Sequence, residues 1–368
     1  MGWFITINVT RVGHLRPSDC QKSKEKTPSL ALLLMNDTPR RVLSGIQPSG
    51  TKHLGNYFGA LKQHVALQDE VPGECFYFIA DYHALTTLRD ADKMRQSVLE
   101  LARTYLALGL DPDKALLFRQ SDVPEVTELT WLLSTVTGMG LLERAHGYKD
   151  KVAKGIKPNI GLFSYPVLMA ADILIYQSTE VPVGKDQVQH VEMAQDIATH
   201  FNQTYGSDEP VLVRPEARLS ETPYVTGTDG QKMSTSYGNT IPIFTSGKKL
   251  RKLLGKIVTD STPLGEPLST DRCNVFALMQ LFASGDELDR IASYYATGKR
   301  DGEAFGYGHA KLLLGELIER HFAEARARLE TFTANPERVE EVLVTSAARA
   351  RKEARRTLER CKRACGLI

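Results

Sequence analysis

The chain has 368 residues, of which 42% are hydrophobic and 24% charged, with a net charge of +2. This balance belongs to a folded globular protein and excludes a highly charged disordered polymer, while the length allows two or three domains with a substantial core. No apolar run reaches the ~18–20 residues that a membrane-spanning helix needs; Leu30 to Met35 comes nearest and is short.

Residues 1–37 mix Arg11, Arg16, Lys22, Lys24 and Lys26 with polar residues and end at Met35. They read as a disordered tail, an organellar targeting segment, or an upstream start with Met35 as the initiator. Asp19 and Glu25 weaken the targeting reading, and a tail or mis-set start is favoured. From Arg41, the β-prone Val42, Leu43 and Ile46 run into the turn cluster Gln47-Pro48-Ser49-Gly50. A helix then starts near Gly55, since Leu54, Phe58, Leu61 and Val65 recur at helical spacing, and ends near Gln68. Cys75 to Ala80 and Ala115 to Phe118 are continuous apolar runs of the kind found in strands buried on both faces, with a helix between them over Asp90 to Leu110. Such alternation predicts an α/β fold with a parallel sheet and helices on both faces.

Pro124 suits a helix N1 position, and that helix is expected to run to about Ala145. Its Leu129, Trp131, Leu132 and Leu133 cover most of its circumference, so either a second partner or the protein's own core covers more than one face. Gly147 to Gly161, with Lys149, Lys151, Lys154 and Lys157, reads as a basic loop. Further elements are a helix from Tyr165 to Tyr176 opening at Pro166, a short strand over Val181 to Gly184, and a helix over Asp186 to Phe201. Glu221 to Asn239 is a Thr/Gly/Asp/Ser loop, and from Gly247 onward the pattern is helical, a separate all-helical domain. The last helix is locally basic, with Arg349, Arg351, Lys352, Arg355, Arg356, Arg360, Lys362 and Arg363 against only Glu353 and Glu359. A solvated face and a polyanion-binding face are equally open. Cys20, Cys75, Cys273, Cys361 and Cys365 are scattered, which suggests no disulfide framework and a reducing compartment. Cys361 and Cys365 alone supply too few ligands for zinc.

Two segments carry the chemistry. The turn after the first strand delivers His53 and Asn56 to a helix N-terminus, where unpaired N–H groups and partial positive charge suit a phosphate. Gly45 to Gly50 has the glycine spacing of a P-loop, but Thr51-Lys52 follows in the wrong register, so that motif is rejected. Pro48-Ser-Gly-x-x-His53-Leu-Gly-Asn56 instead resembles the His-x-Gly-His signature of class I aminoacyl-tRNA synthetases, a signature that nucleotidyltransferases also carry. Lys232-Met-Ser-Thr-Ser236, roughly 180 residues later, resembles the family's second signature, Lys-Met-Ser-Lys-Ser. The family's second lysine is Thr235 here, so one mobile cation is missing, and either Lys232 carries more or Lys151 contributes. A third block, Tyr165 to Ile173 followed by Val181 to Gln187, is similar to the tryptophan branch, and the resemblance spans roughly Arg41 to Leu367.

The resemblance implies a Rossmann-like catalytic domain over 38–246 with a helical dimer insertion at about 120–175, and a helical anticodon-binding domain over 247–368. It implies ATP with Mg2+, L-tryptophan and tRNA(Trp) as ligands, a homodimer, a cytoplasmic location (organellar if residues 1–37 target it), no membrane association and no metal held by protein side chains. Some relatives carry a four-cysteine iron–sulfur motif that this spacing does not reproduce, so no cluster is expected. Lys232 becomes the pyrophosphate cation, with Ser49, His53 and Asn56 as phosphate donors. The ATP site draws on Gln47, Pro48, Ser49, Gly55, Asn56, Gly184, Lys185 and Asp186, and on Val225, Lys232, Met233, Ser234, Thr235 and Ser236, with Val225 and Met233 against adenine. Asp172 stands in an apolar segment, where a carboxylate needs a donor, and an indole offers one donor and no acceptor. A local backbone or arginine partner is the competing reading for Asp172. Met169, Ile173 and Val183 would wall the ring, while Tyr165, Gln47 and Gln187 would hold the α-amino end. Leu43 replaces an aromatic common beside this pocket, a change of packing only. His83, at a strand end, supports the ATP site or is structural, and His64, His190 and His200 read as surface or core. The rival functions are a tyrosine-specific synthetase and a tryptophan-sensing paralogue without ligase activity.

Overall fold

The apolar runs form a five-stranded parallel sheet of β1 (Val42–Ile46), β2 (Cys75–Ile79), β3 (Ala115–Arg119), β4 (Glu180–Val183) and β5 (Glu216–Leu219), in the order β3-β2-β1-β4-β5. The computed structural model describes residues 39–145, 155, 157–184, 187–206, 209–219 and 224–368. The expectations for residues 1–37, for Lys149, Lys151 and Lys154, for Lys185 and Asp186, and for 221–223 lie outside these residues. Alternation across the strands divides the core. Phe76 and Phe78 of β2 face one apolar layer and Cys75, Tyr77 and Ile79 the other, with β1 in register beside them from Val42↔Cys75 to Ile46↔Ile79. β5 escaped the sequence reading because Glu-Ala-Arg-Leu has no apolar run; it is an edge strand with no buried residue.

The helix after the first turn, α1, is α-helical over Leu54–Asn56, π-wound over Tyr57–Leu61 and α-helical again over Lys62–Glu70. Next come α2 (Asp81–Ala84) and α3 (Ala91–Ala107), the latter capped by Asp90, whose side chain accepts from the Asp92 and Lys93 N–H groups. The helix expected from Pro124 to Ala145 is two helices, α4 (Glu125–Ser134) and α5 (Met139–Glu143). Thr135 and Thr137 donate their hydroxyls back to the Leu132 and Leu133 carbonyls at 2.7 Å, and Gly138 follows, which together end α4 early. Leu129, Leu132 and Leu133 are buried in the chain's own core, whereas Trp131 is 70% exposed. The next helix also differs: α6 (Ile160–Ile175) opens a turn and a half before Pro166, capped by Asn159, and carries the proline inside it. α7 (Val188–Tyr205) completes this half.

The remainder comprises α8 (Gly247–Gly255), α9 (Asn274–Met279), α10 (Asp286–Thr297), a small ribbon of β6 (Lys299–Arg300) and β7 (Glu303–Ala304), α11 (Tyr307–His321), α12 (Ala323–Ala334) and α13 (Pro336–Ala364). The ribbon is the one departure from helix that periodicity did not signal, because its two short strands are mostly exposed. α13 returns to the sheet and packs on β3 and α4, with Ala347, Ala350, Ala354 and Leu358 inside the same apolar layer as Phe118. Residues 40–368 form one compact unit.

Candidate active site

The strand order reverses between β1 and β4, and open α/β sheets bind ligands at such a point, beyond the carboxyl ends of the strands. A cavity of about 500 Å³ lies there, between Ile46 and Gln47 after β1 and Val183 and Gly184 at the end of β4. α1 walls it with Gly59, Ala60 and Gln63, and α6 with Tyr165, Met169, Asp172 and Ile173; Gln187 closes one side. Every residue assigned from sequence to the amino-acid pocket therefore lines one space. Leu43 lies on its floor beside Phe78, whose ring covers Gly45 so closely that any side chain there would run into it.

Asp172 is 2% exposed and has partners that sequence did not supply. His83 Nε2 is 2.9 Å from its Oδ2, and the Gln120 amide donates to both oxygens at 2.9 and 2.8 Å. Gln120 is held in that orientation because its Oε1 accepts from the Tyr82 and His83 N–H groups at 3.1 and 3.4 Å. Burial pushes the Asp172 carboxyl above the ordinary carboxylate range, while His83 and Gln120 pull it back. An ionised carboxylate has about four acceptor sites, these donors occupy three of them, and Asp172 is itself among the residues lining the cavity. The expected alternative, a local backbone or arginine partner, is replaced by this histidine–glutamine pair. Tyr165 OH lies 2.8 Å from His190 Nε2, so the buried His190 also belongs to the cavity wall. Gln120 follows β3 directly, at a strand carboxyl end, and the rule that singled out His83 would have found it.

The nucleotide residues gather beside this cavity, at the start of α1. Lys52 is 4% exposed, and its ammonium reaches back to the Ser49 and Gln47 carbonyls at 3.0 and 3.3 Å, clamping the turn. Burial lowers its pKa to about 8. The lysine that fails as a P-loop cation thus serves the turn itself. His53 is buried, and burial, followed by the Lys52 charge, lowers its pKa to about 4, so it is neutral at pH 7. Asn56 Oδ1 accepts from the His53 N–H at 3.1 Å. Pro48, Ser49 and Gly55 complete this entry, but with His53 and Asn56 they stand outside the cavity lining.

The second signature folds onto the first. Leu54 N–H donates to the Ile241 carbonyl at 3.0 Å and Ile243 N–H to the Lys52 carbonyl at 3.2 Å. Met233 packs over Gly55, and both Met233 and Val225 are buried with Leu54 in one apolar cluster, joined by a 2.9 Å bond from Met233 N–H to the Val225 carbonyl. Asn239, missed in the sequence, organises this loop: it accepts from Ser234 N–H, donates to Asp229 and to the Lys232 carbonyl, and crowds Gly227 so closely that no side chain fits there. Lys232, Thr235 and Ser236 remain exposed on the turn, with Ser234 half-buried. Among the described residues Lys232 has no ion-pair partner, and no group of three or more His, Cys, Asp or Glu is placed to hold a metal ion.

A nucleotide entry clasped by a lysine–serine loop, beside a buried pocket at the switch point of a parallel sheet, defines a class I aminoacyl-tRNA synthetase. The family described as tRNA synthetases class I (W and Y) matches residues 35–323, and the chain belongs to it. The tryptophan–tRNA ligase of Rhodopirellula baltica is 51% identical over 328 residues, 89% of this chain and 99% of that protein. The tryptophan–tRNA ligase of Fusobacterium nucleatum is 51% identical over 329 residues, 89% and 98% of the two chains. The crystal structure of the tryptophanyl-tRNA synthetase of Campylobacter jejuni complexed with ADP and tryptophan superposes with a TM-score of 0.83 at 49% identity, covering 89% of this chain and all of that one.

Proposed function

We propose that the chain is a tryptophan–tRNA ligase, and that the spare acceptor of the buried Asp172 receives the indole N–H of its substrate. It forms tryptophanyl-adenylate and then passes the tryptophanyl group to tRNA(Trp). In the first step a tryptophan carboxylate oxygen attacks the α-phosphorus of ATP, and pyrophosphate leaves with the electron pair of the broken P–O bond. In the second, a hydroxyl of the terminal tRNA ribose attacks the acyl carbon and AMP leaves. Negative charge grows on the phosphoryl oxygens in the first step, which preorganised cations and N–H donors stabilise. Lys232 supplies the cation, and Ser49, neutral His53 and Asn56 supply donors. Mg2+ bound with the nucleotide would add positive charge there. Tyr165, Gln47 and Gln187 hold the α-amino end, and Met169, Ile173 and Val183 wall the ring.

A phenol both donates and accepts, whereas the one carboxylate in the pocket lining, which already accepts from His83 and Gln120, suits a donor-only ring. The helical part from residue 247 receives the anticodon. A homodimer forms through apolar residues that include Leu85, Trp131, Met139 and Ile160, which are 53–80% exposed; Leu85 borders one groove with Thr127 and Thr130 of α4 and with Asn159. Trp131→Glu should convert the dimer to a monomer in sedimentation equilibrium, and an unchanged mass would remove this face from the interface. No helix among the described residues is long and apolar enough to cross a membrane, and the cytoplasm is the expected location. ATP–pyrophosphate exchange with tryptophan, tyrosine and phenylalanine tests the reaction. Exchange with tryptophan alone supports the ligase; exchange with none favours the sensor that Thr235 suggests.

A further inference from the structure

The basic C-terminal helix α13 is the obvious candidate for nucleic acid, but its charges are largely committed within the protein. Arg351 and Arg355 both pair with Glu125, Lys362 with Glu128 and Arg363 with Glu359. Although burial works against it, the two arginines hold the Glu125 carboxyl below its usual range. Arg349 and Arg360 donate to the Pro112 and Pro210 carbonyls. Of the basic residues in that run, Lys352 and Arg356 are left.

Helix α8 is arranged the opposite way. Leu250, Leu254 and Ile257 share one face, are at most 2% exposed and are buried in the core with Leu314 and Ile318 of α11. The helical period then places Lys248, Lys249, Arg251, Lys252 and the following Lys256 on the other face, and all five are exposed. None of them forms an ion pair with a described carboxylate, and the one acid at the helix start, Glu319, accepts from the Gly247 N–H. The segment leading into α8 is the one that bonds to the α1 entry through Ile241 and Ile243, so this unneutralised face begins beside the nucleotide site. The α8 apolar face is already used in the core, so this helix has none to insert into a membrane. Five exposed cations without carboxylate partners complement a polyanion, and the substrate polyanion of a ligase is tRNA.

We infer that the outer face of α8 is a docking surface for the tRNA phosphate backbone, and that it contributes more to tRNA affinity than α13 does. This rests on the ligase reading. The full-length chain carrying Lys248→Gln, Lys249→Gln, Arg251→Gln and Lys252→Gln is compared with wild type and with Lys352→Gln/Arg356→Gln. Tryptophan-dependent ATP–pyrophosphate exchange, which needs no tRNA, should be unchanged in both variants. The α8 variant should raise the KM for tRNA(Trp) at least about tenfold and flatten the slope of log Kd against log salt by roughly 3–4, close to one for each phosphate that is no longer neutralised. The α13 variant should change the slope less. Equal slopes in wild type and the α8 variant would overturn the inference, as would loss of exchange in step with charging. So would loss of binding to phosphatidylserine vesicles with tRNA binding intact. A wild type that binds tRNA with a slope that the α8 variant lacks, yet charges none, would keep the docking surface and refute the ligase.

Discussion

Asp172→Ala removes the carboxylate proposed to receive the indole N–H. The bond from a neutral N–H to a buried carboxylate is worth about 1.5–3 kcal/mol, so it favours tryptophan over an isostere without the N–H by roughly 10–150-fold. The sulfur analogue β-(benzo[b]thiophen-3-yl)alanine keeps the shape and lacks the donor. In wild type the ratio of kcat/KM for tryptophan to that for the analogue, in pyrophosphate exchange, should fall in that range. In Asp172→Ala it should collapse toward one. The same change strands the His83 Nε2 and Gln120 amide donors, now 2.8–2.9 Å from carboxylate oxygens, at about 1–3 kcal/mol each. Both activities should therefore drop, but the ratio is internal to each enzyme and cancels any change in the folded fraction. A mutant that still prefers tryptophan by the wild-type factor would show that the ring nitrogen is read elsewhere.

Lys232→Ala should lower kcat for exchange by about 10²–10³ with little change in the KM for tryptophan, whereas Thr235→Lys, which adds a second cation to the loop, should raise kcat; a slower Thr235→Lys enzyme would contradict that role. Lys52→Met deletes the clamp on the Ser49 and Gln47 carbonyls and should raise the KM for ATP about tenfold. It also relieves an ammonium whose pKa is lowered to about 8, so the thermal midpoint at pH 7 should change little; a large drop would show that the charge stabilises the fold. His64 is buried with its pKa lowered to about 4 against 6.5 in the unfolded chain. Between those values the unfolded state binds the extra proton, so stability is full above pH 6.5 and falls, by up to about 3 kcal/mol, as the pH drops toward 4. Urea unfolding of wild type and His64→Gln at pH 7.5 and 5 checks this, since the variant should lose less on acidification; equal losses would show that His64 is not held neutral.

The sequence alone placed the elements that rest on local pattern. Two buried strands announced themselves as continuous apolar runs and β1 as β-prone residues running into a turn, and the two signature segments were legible because a phosphate site needs particular residue types at fixed spacing on a turn and a helix start. It failed where local pattern is weak or is overridden: the edge strand β5 has no buried residue, and the break between α4 and α5 falls at Thr135 to Gly138, where Gly138 is extended and starts the next helix. Tertiary structure decided the partners. His83 and Gln120 lie 89 and 52 residues from Asp172 in sequence, so nothing local could say that they hold its carboxylate. The same holds for charge. The basic runs of α8 and α13 look alike as sequence, but only the fold brings Glu125 and Glu128 against α13 and leaves α8 facing water. Local composition fixes which charges a helix carries, and long-range packing decides which of them are already neutralised.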